Sequence, residues 1–117
     1  MHQTQLSIQL DGKRLGATLN IPAASHGLVI FAHGSGSSRH SPRNRFVAQS
    51  LNERGMATLL LDLLTQEEDE LDRRTAALRF DIALLARRVD LATTWAREQG
   101  ELLHKRIGCT RRRRRMQ

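Results

Sequence analysis

Residues 27–36 read GLVIFAHGSG, a short apolar run of β-branched and aromatic side chains that stops abruptly at His33, Gly34, Ser35 and Gly36. A near-continuous apolar run of this kind is the signature of a strand buried on both faces of a parallel sheet. In an open α/β sheet, the loop leaving the carboxyl end of such a strand is where ligands are handled. Gly34 and Gly36 allow a sharp turn and leave backbone N–H groups uncovered, so the loop is suited to an anion or a developing oxyanion.

With 117 residues the chain is long enough for one domain and too short for two. It contains three Phe, one Trp and no Tyr, so its core has to be Leu, Ile, Val and Ala. The net charge of +7 suggests a nucleic-acid or acidic-membrane partner until it is located. Residues 105–117 hold Lys105, Arg106 and five consecutive arginines with no acid, which accounts for all seven charges and leaves residues 1–104 neutral. A basic partner therefore has to be argued from the tail alone.

The start of the chain lacks the apolar segment and cleavage site of a secretory signal. No stretch approaches the roughly 18 apolar residues of a spanning helix. The expectation is a soluble, cytoplasmic protein with no membrane partner. Cys109 is the single cysteine, which excludes an internal disulfide and a cysteine-based zinc cage.

Residues 5–10 alternate with Leu6, Ile8 and Leu10 on one face, and Leu15, Ala17, Leu19 and Ile21 alternate again after Asp11-Gly12. This pattern predicts a β-hairpin around an Asp-Gly turn. After the loop at 33–42, residues 44–54 place Phe46, Val47, Ser50 and Leu51 at helical spacing and run into Gly55, a residue suited to a left-handed cap. Residues 56–61, MATLLL, form a second apolar run, so 28–61 reads as strand, crossover helix and strand. Leu78, Ile82, Leu85, Val89, Ala92 and Ala96 then mark one amphipathic helix over 78–99, preceded by an acidic, solvated helix start at 67–72. Arg106, Ile107 and Gly108 look like the first residues of another parallel strand, but the arginine run that follows is expected to leave the sheet and be disordered.

Three chemistries compete for the loop at His33. A phosphate-binding P-loop needs Gly-Lys-Ser/Thr, whereas Gly36 is followed by Ser37, Ser38 and Arg39. A dinucleotide fingerprint needs a third glycine where Arg39 stands. An oxyanion loop needs a His-Gly or Gly-rich turn after the third strand of an α/β-hydrolase, and the third strand here supplies one.

Two N-terminal antiparallel strands, then HGSGSSRHSPRN, ATLLLDLLT and a long Arg-rich helix, resemble the opening of an α/β-hydrolase of the dienelactone-hydrolase-like group. The resemblance covers residues 1–108. It implies a partial three-layer α/β-hydrolase fold, with an N-terminal β-hairpin and parallel strands linked by crossover helices, and a basic tail over 109–117. It also implies hydrolysis of a small-molecule ester or lactone through an acyl-enzyme, with no cofactor. Backbone N–H groups among His33, Gly34, Ser35 and Gly36 would form the oxyanion hole.

Such enzymes carry their nucleophile on an elbow after the next strand, followed by an acid and a histidine. No G-x-S-x-G elbow is present. Cys109, flanked by Thr110 and Arg111, is not set in small residues and has no base to activate it. The expectation is a truncated serine-type hydrolase, inactive alone, with no catalytic residue of the triad in this chain. Arginine codons of the CGN kind, read out of register, become Ser, Pro, Thr or Ala codons, so residues 109–117 are expected to be a frameshifted reading of the missing elbow.

The alternative function is a nucleic-acid-binding module using Arg111, Arg112, Arg113, Arg114 and Arg115. The oligomeric state is left open. Asp62, at a strand end, reads as a turn or N-cap residue. His2, His26, His33, His40 and His104 have no metal-ligand spacing, so no metal is expected, and Trp95 reads as core.

Overall fold

The Asp11-Gly12 turn forms as its sequence dictates. Both residues take positive φ, 55° and 73°, the left-handed pair of a two-residue hairpin turn. It joins β1 (His2–Leu10) to β2 (Lys13–Ile21), with Leu10 opposite Lys13 and Ile8 opposite Leu15. The structure is a computed structural model that describes residues 2–23, 25, 27–33, 39–78, 80–99 and 106–111, with His2, His33 and residues 106–111 as backbone only.

The remaining elements are β3 (Gly27–His33), α1 (Pro42–Glu53), β4 (Ala57–Asp62), α2 (Gln66–Thr75), α3 (Ile82–Arg97) and β5 (Arg106–Arg111). The sheet order is β1-β2-β4-β3-β5. β2 meets β4 antiparallel, and β3 lies parallel to both β4 and β5. Helices cover both faces, giving the three-layer α/β arrangement that the alternating pattern implies.

One face carries Ile8, Leu15, Ala17, Leu28, Ile30, Leu59 and Leu61 against Val89, Ala92 and Ala96 of α3, with Trp95 half-buried beside them. The other carries Phe31 and Leu60 against Ala48 and Leu51 of α1. Burying a side chain of leucine size contributes about 1.5–3 kcal/mol, so the first face supplies most of the hydrophobic stabilisation.

Three expectations are corrected. Phe46 and Val47 are 70% and 42% exposed, because α1 turns Ala48 and Asn52 to the sheet instead. The small Ala48 lets the helix close on the strands, and the Asn52 amide bonds the Met56 carbonyl and Thr58 Oγ1 at the helix-to-strand turn. Gly55, with φ of 88°, does end this helix in the left-handed region.

The segment expected to be one helix over 78–99 after a solvated acidic start is two helices. Thr65 and Glu68 form a reciprocal capping box for α2, Ala76 closes it with φ of 58°, and Asp81 caps α3 by accepting from the Leu84 N–H. Leu78 lies between them, with its backbone N–H held by the Asp72 carboxylate at 2.8 Å.

β5 does not stop at Gly108. It continues through Cys109, Thr110 and Arg111, which pair with Ile30, Phe31 and Ala32 of β3. β3 leaves an edge of backbone donors and acceptors that must be paired, and a strand can fill it whatever its side chains. The expected disordered tail therefore begins no earlier than residue 112, and residues 112–117 lie outside the described residues.

Candidate functional site

β3 leads over one face of the sheet through α1 to β4. β4 leads back over the other face, through α2 and α3, to β5 on the far side of β3. The connections diverge around β3, and a crevice opens at such a point outside the carboxyl ends of the strands. His33 is the last residue of β3, in register with Asp62, the last residue of β4. The Gly/Ser loop therefore leaves the sheet at that crevice, as the chain order requires.

The loop returns at Arg39, and there the structure shows an anchor. The Asp62 carboxylate accepts the Arg39 backbone N–H on Oδ1 at 2.7 Å and Arg39 Nη1 on Oδ2 at 2.6 Å. Both side chains are about one-fifth exposed, at 24% and 20%. The guanidinium lies over the backbone of β2 at Gly16, where a Cβ would overlap it. Asp62 is thus neither a turn nor an N-cap residue; it ties the far end of the loop to the strand tips. The helix that follows starts independently, with Ser41 Oγ accepting from the Asn44 N–H and Pro42 in the first turn.

A second arginine fixes the exit from β4. Arg88, 2% exposed on α3, donates Nη1 to the Leu63 carbonyl at 2.7 Å and pairs both nitrogens with Glu68 at 2.6 and 2.9 Å. Its hydrogen bond holds the Glu68 carboxyl down to about 2, and the same bond raises the Arg88 pKa. α2, α3 and the end of β4 are thereby joined through one side chain.

Of the residues expected to form the oxyanion hole, His33 stands at the strand tip, and Gly34, Ser35 and Gly36 lie outside the described residues. Of the arginine run, Arg111 ends β5 and Arg112, Arg113, Arg114 and Arg115 lie outside them. Cys109 sits mid-strand opposite Ile30 rather than on a turn, a placement unlike that of an elbow nucleophile. Among the described residues no three His, Cys, Asp or Glu side chains gather as a metal site, and no helix is long and apolar enough to cross a membrane.

Arg39 and Arg88 carry most of the organisation at the strand tips, and neither is singled out by sequence. The available signal was an arginine closing a Gly/Ser loop and an aspartate ending a buried strand.

No protein-family model matches the chain. Its backbone is similar to a crystal structure of dienelactone hydrolase from Anabaena variabilis, with a TM-score of 0.89 and 49% identity over 94% of this chain and 51% of that one. A cold-adapted esterase from an Arctic intertidal metagenomic library shares the fold, with a TM-score of 0.67 at 16% identity over 93% of this chain and 49% of its own. Two Mycobacterium tuberculosis proteins, from strains CDC 1551 and H37Rv, carry the provisional name phosphoribosyl transferase. They are 50% identical over 90 residues, which is 77% of this chain and 19% of theirs. The chain thus spans about half the length of the hydrolase structures and a fifth of the mycobacterial proteins. The expectation of a partial α/β-hydrolase fold, dienelactone-hydrolase-like and matching the N-terminal portion, is borne out.

Proposed function

We propose that this chain supplies the oxyanion-binding part of an ester or lactone hydrolase that works through an acyl-enzyme. The N–H groups around Ser35 and Gly36 receive the negative charge of the tetrahedral intermediate, and His33 orients the loop. Arg39 and Asp62 hold the far end of the loop at the strand tips. The nucleophile, acid and histidine of the triad are supplied by sequence other than these 117 residues, and the chain by itself does not turn over substrate.

The observation that carries this reading is the Arg39–Asp62 clamp at the strand tips of a fold so similar to dienelactone hydrolase. The transferase name describes proteins most of whose length lies outside the match.

The test has two arms. The chain alone is expected to leave p-nitrophenyl acetate unhydrolysed above background; turnover abolished by Cys109→Ala overturns the assignment. Residues 1–108 spliced onto the C-terminal half of the Anabaena enzyme are expected to restore turnover. In that chimera Gly36→Pro, which removes one N–H, should lower kcat by about 10²–10³-fold. A folded, active chimera indifferent to Gly36→Pro and Ser35→Pro refutes the oxyanion role.

A further inference from the structure

Beside the end of the loop, α1 and the polar face of the hairpin enclose a cleft of about 400 Å³, within the range of small-molecule sites. Its walls are unlike the rest of the interior. Thr18 and Asn20 contribute from β2, Arg45, Gln49 and Asn52 from α1, and Arg39 from the end of the loop, while only two lining residues are apolar. Among the described residues no acidic side chain lines it.

The hydrogen-bonding capacity of these groups is unevenly used. Asn52 commits both amide protons, to the Met56 carbonyl and Thr58 Oγ1, and so presents an acceptor only. The Thr18 hydroxyl donates to Gln5 and retains its lone pairs. Arg39 is neutralised by Asp62. Asn20 differs from these: it is 9% exposed, lines the cleft, and is not one of the buried side chains shut away without a partner. An amide that opens onto a cleft is paired there by water, which a bound group with its own donors and acceptors can replace. Arg45, one turn before Gln49 on the same helix face, is exposed and has no ion-pair partner among the described residues.

We infer that this cleft binds a small anion whose carboxylate or phosphate pairs with Arg45 and whose hydroxyl or carbonyl groups bond Asn20, Thr18 and Gln49. A planar guanidinium suits either oxyanion, and amides that can both donate and accept suit a hydroxylated body. The site shares Arg39 with the loop anchor, but its ligand contacts are placed on Arg45, Asn20, Thr18 and Gln49 and do not depend on the hydrolase reading.

Titration of the full chain, followed through its Asn and Gln side-chain amide NMR signals, separates the cases with gluconate, inorganic phosphate and glucose as probes. Gluconate or phosphate is expected to shift the Asn20 and Gln49 amides saturably. The one that binds identifies the oxyanion as carboxylate or phosphate. Arg45→Gln, an exposed substitution that leaves the fold intact, should weaken binding about tenfold or more, the loss of one charge-assisted hydrogen bond. Absence of a saturable shift with both anions, equal binding of glucose, or an unaltered affinity in Arg45→Gln overturns the proposal.

Discussion

Two arginine–carboxylate pairs flank the end of β4, each with a 2.6 Å contact, and they do different things. Arg88 is buried, is bonded through both terminal nitrogens to Glu68, and also holds a main-chain carbonyl of the strand exit. Arg39 uses one side-chain nitrogen and its own backbone N–H, at the edge of solvent, to fasten the end of a loop. Equal contact distances therefore conceal unequal stakes. Losing a partner in a buried pair leaves an uncompensated charge in low dielectric, whereas water can replace the partner of a pair that reaches solvent. The first pair holds two helices and a strand together, and the second sets where a loop ends.

The largest expected effect follows from breaking the buried pair. Arg88→Met should destabilise the chain by about 3–5 kcal/mol in urea denaturation, because Glu68 and the Leu63 carbonyl lose their donor together. A loss no greater than that of Arg39→Met would erase the distinction between the pairs.

Acid should sharpen the distinction next. The Glu68 carboxyl is held at about 2 against an ordinary value of 4.5, so its contribution is fully present above 4.5. It should be lost progressively as pH falls from there through about 2. Stability measured across that window should fall in the wild type, and Glu68→Gln should remove part of the slope. A variant whose slope matches the wild type would show that other carboxylates carry the acid sensitivity.

The smallest effect on stability, and the most local, is expected at the clamp. Asp62→Asn and Gly16→Ala should each cost only about 0–1 kcal/mol, as for other ion pairs that water reaches. Asp62→Asn removes the charged acceptor, and the new Cβ at residue 16 pushes the guanidinium aside. Both should nevertheless speed hydrogen exchange at the Arg39 amide relative to amides in β4. Unchanged protection in both variants would mean that the loop end is held by something other than the clamp.

The same contrast marks what could be read from the chain. The hairpin turn, the two buried strands and the helix stop at Gly55 were legible, because each follows from local chemistry: paired left-handed φ values, continuous apolar runs and a left-handed cap. The inward face of α1 was not. Phe46 and Val47 form the stronger apolar signal, but Ala48 is the side chain small enough to meet the sheet, a property of the gap rather than of the helix. The division between α2 and α3 was missed because the apolar stripe runs on past Leu78, while the capping groups at Thr65, Glu68 and Asp81 decide where helices begin.

Within the site, His33 could be placed at a strand tip because strand order is written in alternating segments. The partner of Asp62 could not, since Arg39 lies 23 residues away and only the parallel register of β3 and β4 brings it within reach. By itself the sequence determined the types of most elements, the Gly-rich turn at the end of a buried strand and the place of the excess charge. Tertiary structure alone decided which polar groups face one another, whether a carboxylate is paired or solvated, and that an arginine-bearing strand closes the edge of β3. Local pattern constrains the backbone within a few residues, whereas burial and pairing depend on which segments meet across the sheet.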